Sequence, residues 1–366
     1  HVYTLPLPII QNKRLLPYDR GVSVFLPVAA FVFCAILHKA ALFTFPRWGL
    51  LDFPERYGLR RPRLPYPTGI LAVATFLLFY LTLESPTMKT WGVVLSVLVL
   101  TVISFLDDRT PLPSSVRLLV QVIVATVIFL TGTRIFSLTN PLASLTGSEV
   151  LTLDTLAIPW AFFSAPSFVG LLFTVLWLGL TMNAMNWLDG IPGQVSTLAL
   201  IGFLTIGALA LSERVGQPDL ARLAFILAGI SAACLLFDFP PPKVLMGDTG
   251  AIFFGLMLGV LTIYAGGKVA TAFLVLGVPL IDSILVVLRR IIEGRSPFHG
   301  GERRDEHFHH RLLQKGWTQH QVIWLTTAVG TSFGVTALFL NTAGKFAAGV
   351  LLFVLMGALA WYSRPA

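Results

Sequence analysis

An all-α bundle of membrane-spanning helices is the fold this sequence predicts, and three observations predict it. Of 366 residues, 55% are hydrophobic and only 12% charged, with a mean hydropathy of +0.79. That is more apolar surface than a soluble chain of this size can hide. Apolar runs of about 20 residues, the length that crosses a bilayer, recur from end to end. No soluble domain of useful size fits between them. Residues 22–366 are therefore expected to form one integral-membrane domain, and residues 1–21 a short extramembrane or interfacial segment. That segment lacks the basic, apolar, then small order of a signal peptide.

The runs define about eleven spans, near residues 22–43, 68–84, 90–106, 115–133, 167–183, 194–211, 220–237, 249–264, 269–289, 321–340 and 344–362. Turn signals such as Glu84-Ser85-Pro86 and Ala265-Gly266-Gly267-Lys268 separate several of them. With these spans, sixteen lysines and arginines fall on one side, seventeen with Lys39, against nine on the other. The richer side is expected to be cytoplasmic, which places the N-terminus outside and the C-terminus inside. The stretch 134–166 is then the longest external loop, and it carries no evident chemistry. The net charge of +8 reads as this bias plus an anionic substrate. No base-stacking motif interrupts the basic residues, so nucleic acid is not an expected partner. Cys34 and Cys234 each fall inside an apolar run and read as small buried hydrophobes, without disulfide or zinc spacing.

Four polar clusters interrupt the apolar pattern, all on the cytoplasmic side, in active-site loops near 107–115, 183–193, 238–249 and 290–320, with a fifth such loop near 46–67. Asp107 and Asp108 close the third span. Two adjacent carboxylates at a membrane boundary repel each other and resist desolvation, which a metal or cationic group would relieve. Pro111 and Pro113 behind them also allow a plain turn. Arg117 and Gln121 follow on the next helix, in reach of the same face.

Asn183, Asn186 and Asp189 recur every third residue, so a helix aligns them on one face. Gly190, Pro192 and Gly193 then break that helix. Two carboxamides and a carboxylate suit a sugar, a nucleotide or a hydrated metal, and they also suit a polar helix C-cap. Asp248 sits between Gly247 and Thr249-Gly250 at the mouth of a span, where it can cap the helix, hold Mg²⁺, or do both. Finally, His307, His309 and His310 surround Phe308 amid Arg303, Arg304 and Arg311. The arginines oppose a metal cation and favour binding of an anion such as phosphate, or simply a solvated basic loop. Arg60, Arg61 and Arg63 read as cytoplasmic anchors or a substrate-facing rim. Asp282, inside a span, is expected to pair with Arg289 one heptad on or to serve a functional site.

Taken together, these residues resemble the polyprenyl-phosphate N-acetylhexosamine-1-phosphate transferases, in order and over residues 47–320. Asp107 and Asp108 match the family's DD motif, with Arg117 and Gln121 in register. Asn183 to Gly190 match N-A-x-N-x-x-D-G. Met246 to Gly250 match M-G-D-[ST]-G, preceded by Lys243. His307, His309 and His310 match H-x-H-H. The H-x-H-H pattern is similar to the branch that uses UDP-N-acetylglucosamine or related sugars and starts O-antigen, enterobacterial common antigen, teichoic acid or arabinogalactan linkers. The lipid I-forming branch, which transfers phospho-MurNAc-pentapeptide, usually shows three consecutive histidines.

Two departures stand out. The family commonly reads D-G-x-D-G, where this chain has Asp189-Gly190-Ile191-Pro192-Gly193. The family often places Asp before a basic residue ahead of the histidines, where this chain has Arg304 then Asp305.

The resemblance implies a multi-pass enzyme of the inner (plasma) membrane with a cytoplasmic active site. It would transfer the sugar phosphate from a UDP-N-acetylhexosamine to polyprenyl phosphate and release UMP. Mg²⁺, with Mn²⁺ as an alternative, would be held by Asp248 with Asp107 or Asp108, the three expected catalytic residues. Asn183, Asn186, Asp189, Gly190, Arg117, Lys243, Gly247, Arg303, Arg304 and the three histidines would bind substrate. A transporter of a phosphorylated substrate is the reading from another class, but it calls for polar groups at the bilayer midplane and on both faces. Nothing in the sequence marks a dimer interface, and a homodimer stays open.

Overall fold

The computed structural model describes residues 24–57, 61–140, 146–148, 150–153, 167–213, 215–266, 269–296 and 307–363. Helices stand at every position the apolar runs marked. They are α1 (Phe25–Arg47), α2 (Gly69–Leu83), α3 (Met88–Arg109), α4 (Ser114–Leu130), α5 (Phe168–Leu188), α6 (Gln194–Leu211), α7 (Pro218–Asp238) and α8 (Gly247–Tyr264). The ninth run is divided into α9 (Val269–Val275) and α10 (Gly277–Ile292). A short α11 (Phe308–Gln314) precedes α12 (Gln319–Phe339) and α13 (Thr342–Tyr362). The division before α10 falls where Gly277 and Pro279 open a new helix, a position at which proline's missing N–H costs nothing. Among the described residues, eight helices are long and apolar enough to cross a membrane, and α2 and α4 are apolar but shorter. The chain is a polytopic all-α membrane protein. Among the described residues, strands occur in the expected external loop, where β1 (Ser137–Thr139) and β2 (Val150–Thr152) pair antiparallel with Ser137 opposite Thr152.

Helix α8 is the axis of the bundle. Every one of its residues except Asp248 and Tyr264 is buried. Glycines make that burial possible. A Cβ on Gly255 would lie 2.6 Å from the Thr181 carbonyl oxygen, and one on Gly259 would lie 2.7 Å from Thr181 Oγ1. The two glycines, four residues apart, therefore let α5 press its backbone against α8, the small-residue packing typical of membrane helices. Trp177 Nε1–H, 3.3 Å from both the Gly259 carbonyl and Thr262 Oγ1, ties the pair together. A second apolar cluster sits between α10, α12 and α13. Phe308 and Leu312 of α11 plug into it, each stabilising the histidine segment by about 1.5–3 kcal/mol.

This arrangement gathers chain ends at one end of the bundle. The C-termini of α3, α5 and α7 meet the N-termini of α2 and α8 there. The segment before α2 runs as an extended strip. Tyr66 N–H donates to the Leu50 carbonyl, Leu245 N–H to Pro65, and Thr68 and Gly69 N–H to Leu245 and Met246. The α2 and α8 starts cross so closely that a Cβ on Gly69 would sit 2.2 Å from Gly250 N.

Candidate functional site

At that end opens a cleft of about 580 Å³, lined by Tyr66, Asp108, Asn186, Asp189, Asp238, Gly247, Asp248 and His310, with Arg61 and Arg109 at its rim. Residues from motifs more than two hundred positions apart thus share one wall. The separation of Asp108 from Asp248 is bridged directly, because Asp248 N–H donates to Asp108 Oδ1 at 2.9 Å.

Both members of the aspartate pair are held by neighbouring groups in the fold. Asp108 Oδ1 also accepts from the Tyr66 hydroxyl at 2.6 Å. Its Oδ2 accepts from Thr249 N–H at 3.1 Å and from the Thr249 hydroxyl at 2.6 Å. A carboxylate offers about four lone-pair sites, and all four are taken. Asp108 is thus the anionic cap of α8, supplied by α3, and it cannot bind a cation without giving up one of these bonds. Asp107 is committed as well. Its Oδ1 accepts from Leu112 N–H at 2.6 Å and its Oδ2 from Arg117 at 3.0 Å. The same Arg117 nitrogen lies 3.5 Å from Asp248 Oδ2, so a guanidinium stands between the two carboxylates expected to share an ion. Among the described residues, no three cleft carboxylates bring their oxygens within 4.8 Å of one another. Asp107, Asp108 and Asp248 together, more than the expected Asp248 with one of the pair, are not assembled around a single point.

A smaller donor set is. Asp248 faces the cleft with its side chain 29% exposed, and Asp189, at the C-cap of α5, lines the same space. Burial pushes the Asp189 carboxyl well above the usual range, and the charges of Asp248, Asp238 and Asp108 push it further. Beside them Asn186 Nδ2 is buried without a partner. Mg²⁺ is usually held by one or two carboxylates, with waters and substrate phosphates completing its shell. The like-charged carboxylates would fit such an ion, with Asp248 as its holder and Asp189 across the cleft, whereas the Asn186 Nδ2–H, a donor, suits an anion.

The carboxamide face is pinned from behind. Asn183 Nδ2 donates to Gln121 Oε1 at 2.6 Å and to the Gly179 carbonyl at 2.8 Å. Arg117, Gln121, Asn183, Asn186 and Trp187 line a narrow crevice of their own with Leu118 and Ile252. Asn186 and Trp187 form the wall it shares with the main cleft.

The histidines divide their roles. His310 faces the cleft. His307 Nδ1 lies 2.8 Å from Asp282 Oδ2, while Phe308 N–H donates to Asp282 Oδ1 at 3.1 Å. Asp282 therefore holds the start of α11. Its expected partner Arg289 pairs instead with Glu293 at 2.8 Å. His309 is fully buried with neither ring nitrogen partnered. Burial, then the neighbouring His310 and His307, hold its ring well below the usual histidine range, so it is neutral. Both His309 and His310 press on Gly190, where a Cβ would lie 2.5 Å and 2.6 Å from their Nε2 atoms. That contact, not backbone freedom, is what requires glycine there.

Two expectations fare differently. Lys243 is exposed and lines a separate apolar groove with Leu235, Leu236 and Phe239, outside the cleft. Arg303 and Arg304 lie outside the described residues, as does Arg60. Three site residues were missed. Tyr66 hides between two prolines in the extended strip before α2. Asp238 ends α7 as Asp107 and Asp108 end α3, and that signal could have found it. Asp52 accepts from Arg61 at 2.6 Å and from Leu64 N–H at 2.6 Å, fixing the rim.

Residues 90–266 match the family model of Glycosyl transferase family 4. The chain is 28% identical over 264 residues, 70% of this chain and 68% of the relative, to a Bacillus subtilis (strain 168) protein called "Probable undecaprenyl-phosphate N-acetylglucosaminyl 1-phosphate transferase". It is 26% identical over 340 residues, 89% of this chain and 85% of the relative, to the Salmonella typhi undecaprenyl-phosphate alpha-N-acetylglucosaminyl 1-phosphate transferase. With the Mycolicibacterium smegmatis decaprenyl-phosphate N-acetylglucosaminephosphotransferase it shares 29% identity over 246 residues, 61% of this chain and 56% of the relative.

Proposed function

We propose that this chain, which matches glycosyl transferase family 4 over residues 90–266 and is similar to undecaprenyl-phosphate N-acetylglucosaminyl 1-phosphate transferases, belongs with them and moves GlcNAc-1-phosphate from UDP-GlcNAc to polyprenyl phosphate with release of UMP. The observation that carries this is the convergence of Asp189, Asp238, Asp248 and His310 on one polar cleft at one end of an apolar bundle. The acceptor is soluble only in the membrane and the donor only in water, so the reaction needs a polar cavity opening at a bilayer surface. Eleven crossings, with the N-terminus outside and the site cytoplasmic, satisfy the charge bias of the loops.

Chemically, an oxygen of the lipid phosphate attacks the phosphorus that bears the sugar. The bond between that phosphorus and the oxygen bridging the two donor phosphates breaks, and UMP leaves with that oxygen and the bond's electron pair. Both reactants are anions, so positioning and charge neutralisation dominate the barrier. Mg²⁺ at Asp248, when bound, would polarise the donor diphosphate. In this reading Arg117 and Asn186, which bound the crevice behind the cleft wall, receive the acceptor phosphate. Arg61, Arg109 and His310 neutralise the donor. Asp108 and Tyr66 hold the α8 start so that Asp248 faces it.

The lipid phosphate is largely ionised near neutral pH and needs no base, so direct attack is the mechanism. The test is UMP release by purified full-length protein with Mg²⁺, polyprenyl phosphate and a panel of UDP-sugars. Release must require the acceptor and be lost in Asp248→Asn. Stoichiometric UMP without acceptor contradicts direct attack. No UMP with any sugar, alongside movement of a phosphorylated substrate across vesicles, replaces the enzyme with a transporter.

A further inference from the structure

Away from the catalytic cleft, two cysteines that read as inert in the sequence meet a histidine. Cys34 and His38 lie one turn apart on α1, and Cys234 lies on α7, against which α1 packs. One ligand atom from each lies within 4.8 Å of the other two, the one such group of three among the described residues. Cys34 Sγ and His38 Nδ1 are 3.5 Å apart. The three residues are 0%, 1% and 2% exposed, and the His38 ring stacks on Phe237 with centroids 5.5 Å apart. An apolar helix interface gains nothing from an imidazole, whose polar edge is costly to bury in a bilayer.

One turn beyond Cys234, on the same helix, stands Asp238. Its Oδ2 accepts a hydrogen bond from Ser196, 2.5 Å away, and its Oδ1 is buried with no partner at all. The two helices thus present matched pairs, Cys34 with His38 and Cys234 with Asp238, each spaced four residues so that both members face the same way.

We propose that Cys34, His38 and Cys234 bind a thiophilic d¹⁰ cation of the zinc class. Metal–sulfur and metal–nitrogen bonds of about 2.3 and 2.0 Å in a tetrahedron set the ligands roughly 3.5–3.8 Å apart. The Cys34–His38 separation already meets that. Loading exchanges two thiol protons for the ion. Because His38 Nδ1 lies 2.9 Å from the Cys34 carbonyl oxygen, ligation through Nδ1 also moves the ring proton to Nε2. The two thiolates cancel the charge of a divalent ion, which is what a low-dielectric interior requires. Hard Mg²⁺, which demands oxygen donors, is excluded by the same chemistry. Since Asp238, one turn beyond Cys234, lines the cleft, the ion would tie α1 to α7 and steady the cleft floor.

The experiment uses the full chain, carrying a purification tag without histidines, in detergent and under reductant. Metal content after dialysis is expected to be about one zinc per chain, as for a single tetrahedral site. Cobalt loading is expected to give a thiolate-to-cobalt charge-transfer band. Both signals should vanish in Cys34→Ser and Cys234→Ser and persist in Asp248→Asn, which separates this site from the catalytic one. Zinc in the wild type no higher than in the cysteine variants overturns the proposal. So does a cobalt spectrum without the thiolate band, or a chain two hydrogens lighter with Cys34 joined to Cys234. The wild-type cobalt spectrum decides the matter even where a variant fails to fold.

Discussion

Replacing Asp108 by asparagine separates a positioning carboxylate from a chemical one. Four donors converge on it, from Tyr66, Asp248 N–H, and the Thr249 N–H and hydroxyl. An asparagine keeps one acceptor oxygen and turns two N–H donors towards the remaining donors. Two charge-assisted bonds are then lost, at about 1.5–3 kcal/mol each, so at least ~3 kcal/mol. At about 2–4 °C per kcal/mol the unfolding midpoint, followed by tryptophan fluorescence in detergent, falls by about 6–12 °C. Turnover falls too, by about 100-fold, because freeing the α8 start displaces Asp248. Asp248→Asn should behave differently. Its carboxylate caps nothing, and its loss gives up about 0.3–1 kcal/mol of helix-dipole attraction and a partly exposed pairing with Arg117 at 3.5 Å, worth about 0–1 kcal/mol, while relieving repulsion from its neighbours. Turnover then disappears with the midpoint shifted by no more than about 4 °C. If Asp108→Asn abolishes turnover with its midpoint within about 2 °C of wild type, Asp108 acts on substrate and the capping argument is wrong.

Other expectations rest on separate contacts. Lys243→Ala should leave the KM for UDP-sugar within about twofold, since a surface position away from the site changes little; a tenfold rise would bring Lys243 back to the substrate. Gly69→Ala should reduce the yield of folded protein sharply and cost at least about 1–3 kcal/mol, because its Cβ would meet the Gly250 backbone nitrogen at 2.2 Å. Arg117→Lys should raise the KM for polyprenyl phosphate more than that for UDP-sugar, because a single ammonium cannot span Asp107 and the acceptor; an equal rise in both would remove Arg117 from the acceptor crevice. His309, held neutral in the fold, is protonated in the unfolded chain below about pH 6.5. Stability should therefore fall by about 1.3 kcal/mol between pH 7.0 and 5.5 from this residue alone, and His309→Asn should show a correspondingly shallower decline over that interval.

What the sequence disclosed and what it withheld follow from different physics. Hydropathy is a local property, so each apolar run could be located from composition alone, and only the break before Gly277 needed packing to appear. The cleft was legible because its residues sit at span mouths, where polar side chains stand out against an apolar background. Roles were less legible than locations. A doubled aspartate looks the same whether it binds a cation or caps a helix 140 residues away, and only the α3–α8 contact tells them apart. The same holds for Asp282, whose partner came from a loop rather than from its own helix face. Lys243 matched a motif by position, yet the Pro240-Pro241-Pro242 run before it sets the chain so that its side chain lies over an apolar groove. The cysteines mark the limit most sharply. Separated by 200 positions and by five described α-helices, Cys34 and Cys234 show no ligand spacing along the chain. Their meeting is a product of α1 packing on α7, so the donor set was invisible to any reading of motifs. A search for metal sites in helical membrane proteins should therefore weigh residue pairs spaced by four on helices that pack together, whatever their separation in sequence.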